Sequence, residues 1–134
     1  MVDHEPPLGG NSIGTLLYHI AAIETDWLFT EILEREIAPE VMKLFPVDVR
    51  DARGRLSRVR GLSLARHRQR LRAVRDVLLD ALRGMPVEEY CRVRCLPEYR
   101  VTPAWVLHHL AQHEAEHRGQ ITDLRRRFEG LSST

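Results

Sequence analysis

Three histidines, His19, His113 and His117, are the residues of this sequence best placed to do chemistry. His113 and His117 stand four apart in a stretch whose apolar residues, Val106, Leu110, Ile121, Leu124 and Phe128, step by three or four. Side chains at i and i+4 lie one above the other on a helix, so the two rings can aim at one point. His19 holds a comparable place in an earlier seam of Leu16, Ile20, Ile23, Trp27 and Ile32. A lone core histidine is usually satisfied by a hydrogen bond. Three buried together without partners would cost on the order of a few kcal/mol each, whereas one divalent cation satisfies a nitrogen on all three. Facing helices of a bundle are a common place for such a site. Neutral imidazoles suit Zn²⁺ or Ni²⁺, and three protein ligands leave a position open for water or a small-molecule substrate. Because ligating imidazoles must be neutral, affinity should weaken as pH falls through about 6.

The same segment, His113-Glu114-Ala115-Glu116-His117, satisfies the H-E-x-x-H pattern of zinc peptidases, in which the glutamate is the general base. That reading is an alternative. Asp123 falls at the third-ligand offset of the extended motif, but Gln120 stands where a turning glycine is required, and the apolar seam continues to Phe128. Glu114, about 100° around the helix from His113, is a candidate base bordering the site, while Glu116 should be solvated. Cys91 and Cys95, also four apart, are expected to be ordinary reduced thiols, buried or half-buried.

The elements that must position these groups read as all-α. A first helix should be capped by Ser12 and run to about Ile37, with Pro39 blocking its continuation. A short turn of helix over Glu40 to Phe45 and a polar loop from Pro46 to Gly61 should follow. A second long helix is expected from Ser63, with Leu64, His67, Leu71, Val74, Leu78 and Leu82 on its stripe, to the Gly84-Met85-Pro86 stop. Residues 86 to 101 form a connection with an extended piece at Tyr90 to Val93. Thr102 and Pro103 open a third helix that runs to about Glu129 and ends at Gly130.

With 134 residues, 43% of them hydrophobic and 29% charged, the chain suits one globular domain, residues 1–134, and not a disordered segment. It needs neither disulfides nor a metal for stability. No stretch suits a membrane span or a signal peptide, so a cytoplasmic protein without a membrane partner is expected. The net charge of +1 hides an asymmetry: residues 1–45 hold eight acids against Arg35 and Lys43, and residues 50–75 hold ten arginines against Asp51. No aromatic residue lies between Pro46 and Tyr90, so the stacking surface of a single-strand binder is missing and nucleic acid is not expected as a partner. The favoured reading is intramolecular, an arginine-rich helix beside an acidic one.

The sequence resembles the DinB-like family, also called the YfiT-like metalloenzymes. The resemblance rests on Asn11-Ser12-Ile13-Gly14, Leu16-Leu17-Tyr18-His19-Ile20, Glu24 and Trp27, and on Leu107 to Leu110 followed by His113 through Ile121 with its Arg118-Gly119-Gln120. It extends over roughly residues 9 to 130. The resemblance implies a four-helix bundle in up-down-down-up order, usually dimeric, whose metal ligands map onto His19, His113 and His117. It also implies a thiol-dependent chemistry of the S-transferase or isomerase kind, in which a low-molecular-weight thiol is activated as thiolate. The matching residues start at the family's second helix, so its first helix is expected to be missing or replaced by a partner chain. Three long helices would leave an apolar strip uncovered, which predicts a homodimer.

The expectation is therefore a metal-binding enzyme, a thiol-dependent S-transferase or a hydrolase acting on a small molecule. The competing reading is a non-catalytic dimeric helical module of stress-response type. Arg118 and Gln120 could bind an anionic substrate or support the fold, with structure favoured.

Overall fold

The computed structural model describes residues 1–7 and 9–131, and it is an all-α helical bundle. The chain runs α1 (Ile13–Asp26), a π-helical turn (Trp27–Ile32), α2 (Pro39–Met42), α3 (Leu64–Arg83), α4 (Val87–Cys91), a hairpin of β1 (Arg94–Cys95) and β2 (Arg100–Val101), then α5 (Pro103–Leu131). Three of these helices are long, and α1 packs along both of the others, α3 and α5.

Start signals are realised as written. Ser12 caps α1, its hydroxyl accepting from the Thr15 amide at 3.1 Å, and Ser63 caps α3 by accepting from the Arg66 amide at 3.3 Å. Each satisfies a backbone donor that the first helical turn leaves orphaned. Thr102 does the same for Trp105 at the head of α5, directly before Pro103.

Stop signals and connections differ from the sequence reading. The first helix ends at Ile32, not Ile37, because the chain reverses at Glu34, whose φ is 52°. Before that break the helix widens: the Leu33 amide bonds to the Leu28 carbonyl at 2.9 Å, five residues back. The apolar seam explains the widening, since Trp27 to Ile32 is a step of five that a regular α-helix cannot keep on one face. Pro39 opens α2 instead of merely blocking a predecessor, and α2 stops at Met42, short of Phe45. The extended piece lies at residues 94–101 as a two-stranded hairpin, while Tyr90 belongs to α4. The last helix passes through Gly130 to Leu131. Both cysteines are free and exposed, not buried.

The main core gathers Leu28, Phe29 and Ile32 from the π turn, Val41, Leu78 from α3, Val101, and Val106 and Leu110 from α5. Arg94, 2% exposed, ties the hairpin to that core by donating to the carbonyls of Ile32, Glu89 and Arg92. The second stripe is less apolar than its sequence suggests: Leu64 is exposed, whereas His67 and Arg70 are buried.

The charge asymmetry resolves within the molecule. Arg75 of α3 donates through two nitrogens to both carboxylate oxygens of buried Glu24 on α1, at 2.8 and 2.9 Å. Arg60 pairs with Glu5 at 2.8 Å, and Asp3 accepts from the Gly61 amide at 2.8 Å, so the acidic N-terminal segment is fastened to the basic loop.

Candidate metal centre

His19 faces α5 because it lies on the α1 seam one turn beyond Leu16, and His113 and His117 face α1 because they continue the Val106 and Leu110 seam. The Nε2 atoms converge. His113 Nε2 lies 3.1 Å from His19 Nε2 and 3.1 Å from His117 Nε2, and all three ligand nitrogens fall within 4.8 Å of one another. Nitrogens about 2.0–2.1 Å from a tetrahedral Zn²⁺ would stand about 3.3 Å apart, so the spacing fits a shared ion. The rings meet edge to face, with centroids 4.4 to 5.0 Å apart.

The hydrogen count points the same way. His117 Nδ1 lies 3.0 Å from Gln120 Oε1, which can only accept, so Nδ1 carries the proton and Nε2 presents a lone pair to the trio. His113 Nε2 carries at most one proton when neutral, and that proton cannot serve both of its Nε2 neighbours. One lone-pair contact is therefore left without a proton, which a cation would relieve. An acceptor on the far nitrogen of a ligating histidine is the usual way a protein fixes tautomer and ring orientation. Gln120 does this three residues beyond His117, a spacing legible in the sequence as an i,i+3 pair.

The electrostatics favour neutral rings. Burial, reinforced by the rings of His113 and His117, lowers the His19 pKa to about 4. Burial and the neighbouring His117 and His109 lower that of His113 to about 4 as well. Two of the three imidazoles thus remain ligand-ready well below pH 6, and the expected weakening of affinity through about 6 shifts to lower pH for them. His19 Nδ1 is buried without a hydrogen-bond partner among the described residues.

Glu114, the candidate base, donates no freedom to the site: its carboxylate accepts from Arg75 at 2.7 Å, on the guanidinium that also holds Glu24. Glu116 is exposed, as expected. The peptidase geometry is not formed. The helix continues straight past Gln120, leaving Asp123 on α5, and the third imidazole comes from α1. The role of Glu24 and Arg75 as a tie between helices was not read from the sequence, although an uncompensated acid in an apolar seam was its signal.

A family model for the DinB superfamily matches residues 2–121. The chain belongs to the DinB superfamily. No curated protein and no solved structure matches it. In this DinB-superfamily chain the three histidines form a cluster able to hold a metal ion, and no helix among the described residues is long and apolar enough to cross a membrane.

Proposed function

We propose that this protein is a metal-dependent enzyme of the thiol-dependent S-transferase or hydrolase type, acting on a small molecule in the cytoplasm, with His19, His113 and His117 holding a divalent ion, Zn²⁺ or Ni²⁺. The observation that carries the reading is the convergence of three Nε2 atoms with His117 already oriented by Gln120. A divalent ion there would supply Lewis acidity and lower the pKa of a thiol or water in its open position. The chain's own contribution is to hold neutral imidazoles: burial keeps His19 and His113 unprotonated, and Gln120 keeps the His117 lone pair inward. Glu114 is the candidate base beside the ligands, and Arg75 would have to release it before it could take a proton.

A second reading is a non-catalytic homodimeric module, and one observation supports the homodimer. The C-terminal half of the α5 seam, Ile121, Leu124 and Phe128, is only half-buried. The homodimer is compatible with either reading.

Metal analysis of untagged protein purified without chelator tests the first. Near-stoichiometric zinc or nickel is expected, with loss in the His113→Ala/His117→Ala variant. Gln120→Leu should retain the site but weaken it by about tenfold or more in chelator competition. Equal metal content in wild type and the double variant would remove the enzyme reading and leave the module.

A further inference from the structure

Beside the histidine trio lies an aromatic shelf that the metal reading does not use. Trp27, at the start of the π turn, is in ring contact with Tyr99, Trp105 and His109, at centroid distances of 6.2, 5.7 and 4.5 Å. Trp105 and His109 lie nearly parallel, 8° apart with centroids at 5.1 Å. The shelf is open to solvent: Trp105 is 48% exposed and Tyr99 41%. Large aromatic rings are normally placed with their faces covered, so four clustered rings with two of them this exposed make an unusual surface.

Acids stand behind its Tyr99 end. Tyr99 donates to Glu31 Oε1 at 2.6 Å, and Glu31 is 3% exposed with its second oxygen, Oε2, buried and without a hydrogen-bond partner among the described residues. Three acids, Glu31, Asp26 and Glu98, act on Tyr99. The bond to Glu31 pushes the Tyr99 hydroxyl up to about 12, and burial raises the Glu31 carboxyl above the usual range. A buried carboxylate oxygen whose lone pairs go unmet is costly. Negative potential behind electron-rich ring faces is what attracts an organic cation.

We infer that Trp27, Trp105, Tyr99 and His109, backed by Glu31 and Asp26, form a binding site for a small organic cation, an ammonium or guanidinium group lying against the rings. The ring of His109 lies 6.4 Å from that of His113, so a cation on the shelf would be bound next to the histidine cluster. The inference does not rest on metal binding, because none of the groups it uses is one of the three clustered histidines.

The two tryptophans of the chain, Trp27 and Trp105, both belong to the shelf, so intrinsic tryptophan emission reports it directly. Chelator-treated full-length protein is titrated with choline chloride, with its uncharged carbon isostere 3,3-dimethylbutan-1-ol, and with sodium chloride at matched ionic strength. Saturable quenching or shift with choline, at least about threefold stronger than with the alcohol, is expected. Trp105→Ala removes an exposed ring and should leave the helical circular dichroism unchanged. In that variant the Trp27 response should need about threefold more choline, or vanish. Glu31→Gln should weaken choline without affecting the response to the alcohol. An equal response to choline and the alcohol, or an unaltered choline titration in Trp105→Ala, would overturn the site. So would emission that changes on dilution alone, since the shelf would then be an interface between copies of the chain. Failure of the metal analysis would leave this titration unaffected, and failure of the titration would leave the metal reading standing.

Discussion

Burial that keeps His19 and His113 neutral has a consequence for the metal-free protein. Both imidazoles sit near 4 when folded, against about 6.5 in an unfolded chain. His67, 1% exposed, is lowered too, by burial first and then by Arg70. Between about pH 6.5 and pH 4 the unfolded state therefore binds more protons than the folded one, so stability must fall as pH falls through that window. Urea unfolding of chelator-treated protein should show a lower midpoint at pH 5 than at pH 7.5. His19→Gln/His113→Gln should flatten that dependence while leaving the His67 share. A midpoint that does not move between the two pH values would contradict the burial of neutral rings. At this scale the sequence was informative: a polar residue type on an apolar seam, repeated at i and i+4, could be read directly. The sequence favours a structural role for Gln120 but does not show its contact with His117, because that depends on which way the His117 ring faces, and the facing is set by α1 across the gap.

Helices here are joined by charge as well as by seams. Glu24 is buried on α1, and both its oxygens accept from Arg75 of α3, which also reaches Glu114 of α5. One guanidinium therefore spans the two helices that carry the histidines, in the bidentate geometry that makes such pairs strong. Arg75→Leu should destabilise the fold by about 2 kcal/mol, below the usual cost of breaking a buried pair because the arginine itself is partly exposed. Glu24→Leu/Arg75→Leu should recover most of that loss, since the buried carboxylate that Arg75 had paired is removed with it. Thermal or urea unfolding of the two variants checks this, and a double variant no better than the single one would show that the pair does not act as a unit. Caps and long helices were legible because Ser12, Ser63 and Thr102-Pro103 act locally. The π turn and the reversal at Glu34 were not, because both satisfy tertiary demands. The five-residue step from Trp27 to Ile32 was visible in the seam, but only packing against α5 and α3 shows that the helix widens to keep it. The hairpin at 94–101 is held by Arg94 reaching the Ile32 carbonyl, 62 residues away in sequence, which no local pattern announces.

For the whole molecule, the question is what meets the far half of α5. Upstream, Val106 and Leu110 are buried against the π turn and α3; downstream, Ile121, Leu124 and Phe128 lie half-open, with the N-terminal segment providing one edge through the His4–Phe128 ring contact at 5.2 Å. A helix with a regular apolar stripe normally owes its stability to burying that stripe. Among the described residues the stripe outruns the elements that cover it. The proposed homodimer would pair these seams about a two-fold axis, the commonest arrangement for soluble oligomers. It would leave the aromatic shelf at the other end of α5 accessible. Light scattering should give twice the 15.5 kDa chain mass at micromolar concentration. Leu124→Glu, at a half-open position where the folded monomer tolerates a charge, should shift the protein to monomer while retaining helical content and the metal-binding residues. If wild type is monomeric throughout the accessible concentration range, the stripe is not a self-interface. If Leu124→Glu stays dimeric, the two copies meet elsewhere, and the exposed Trp105 end of α5 becomes the surface to test next by dilution.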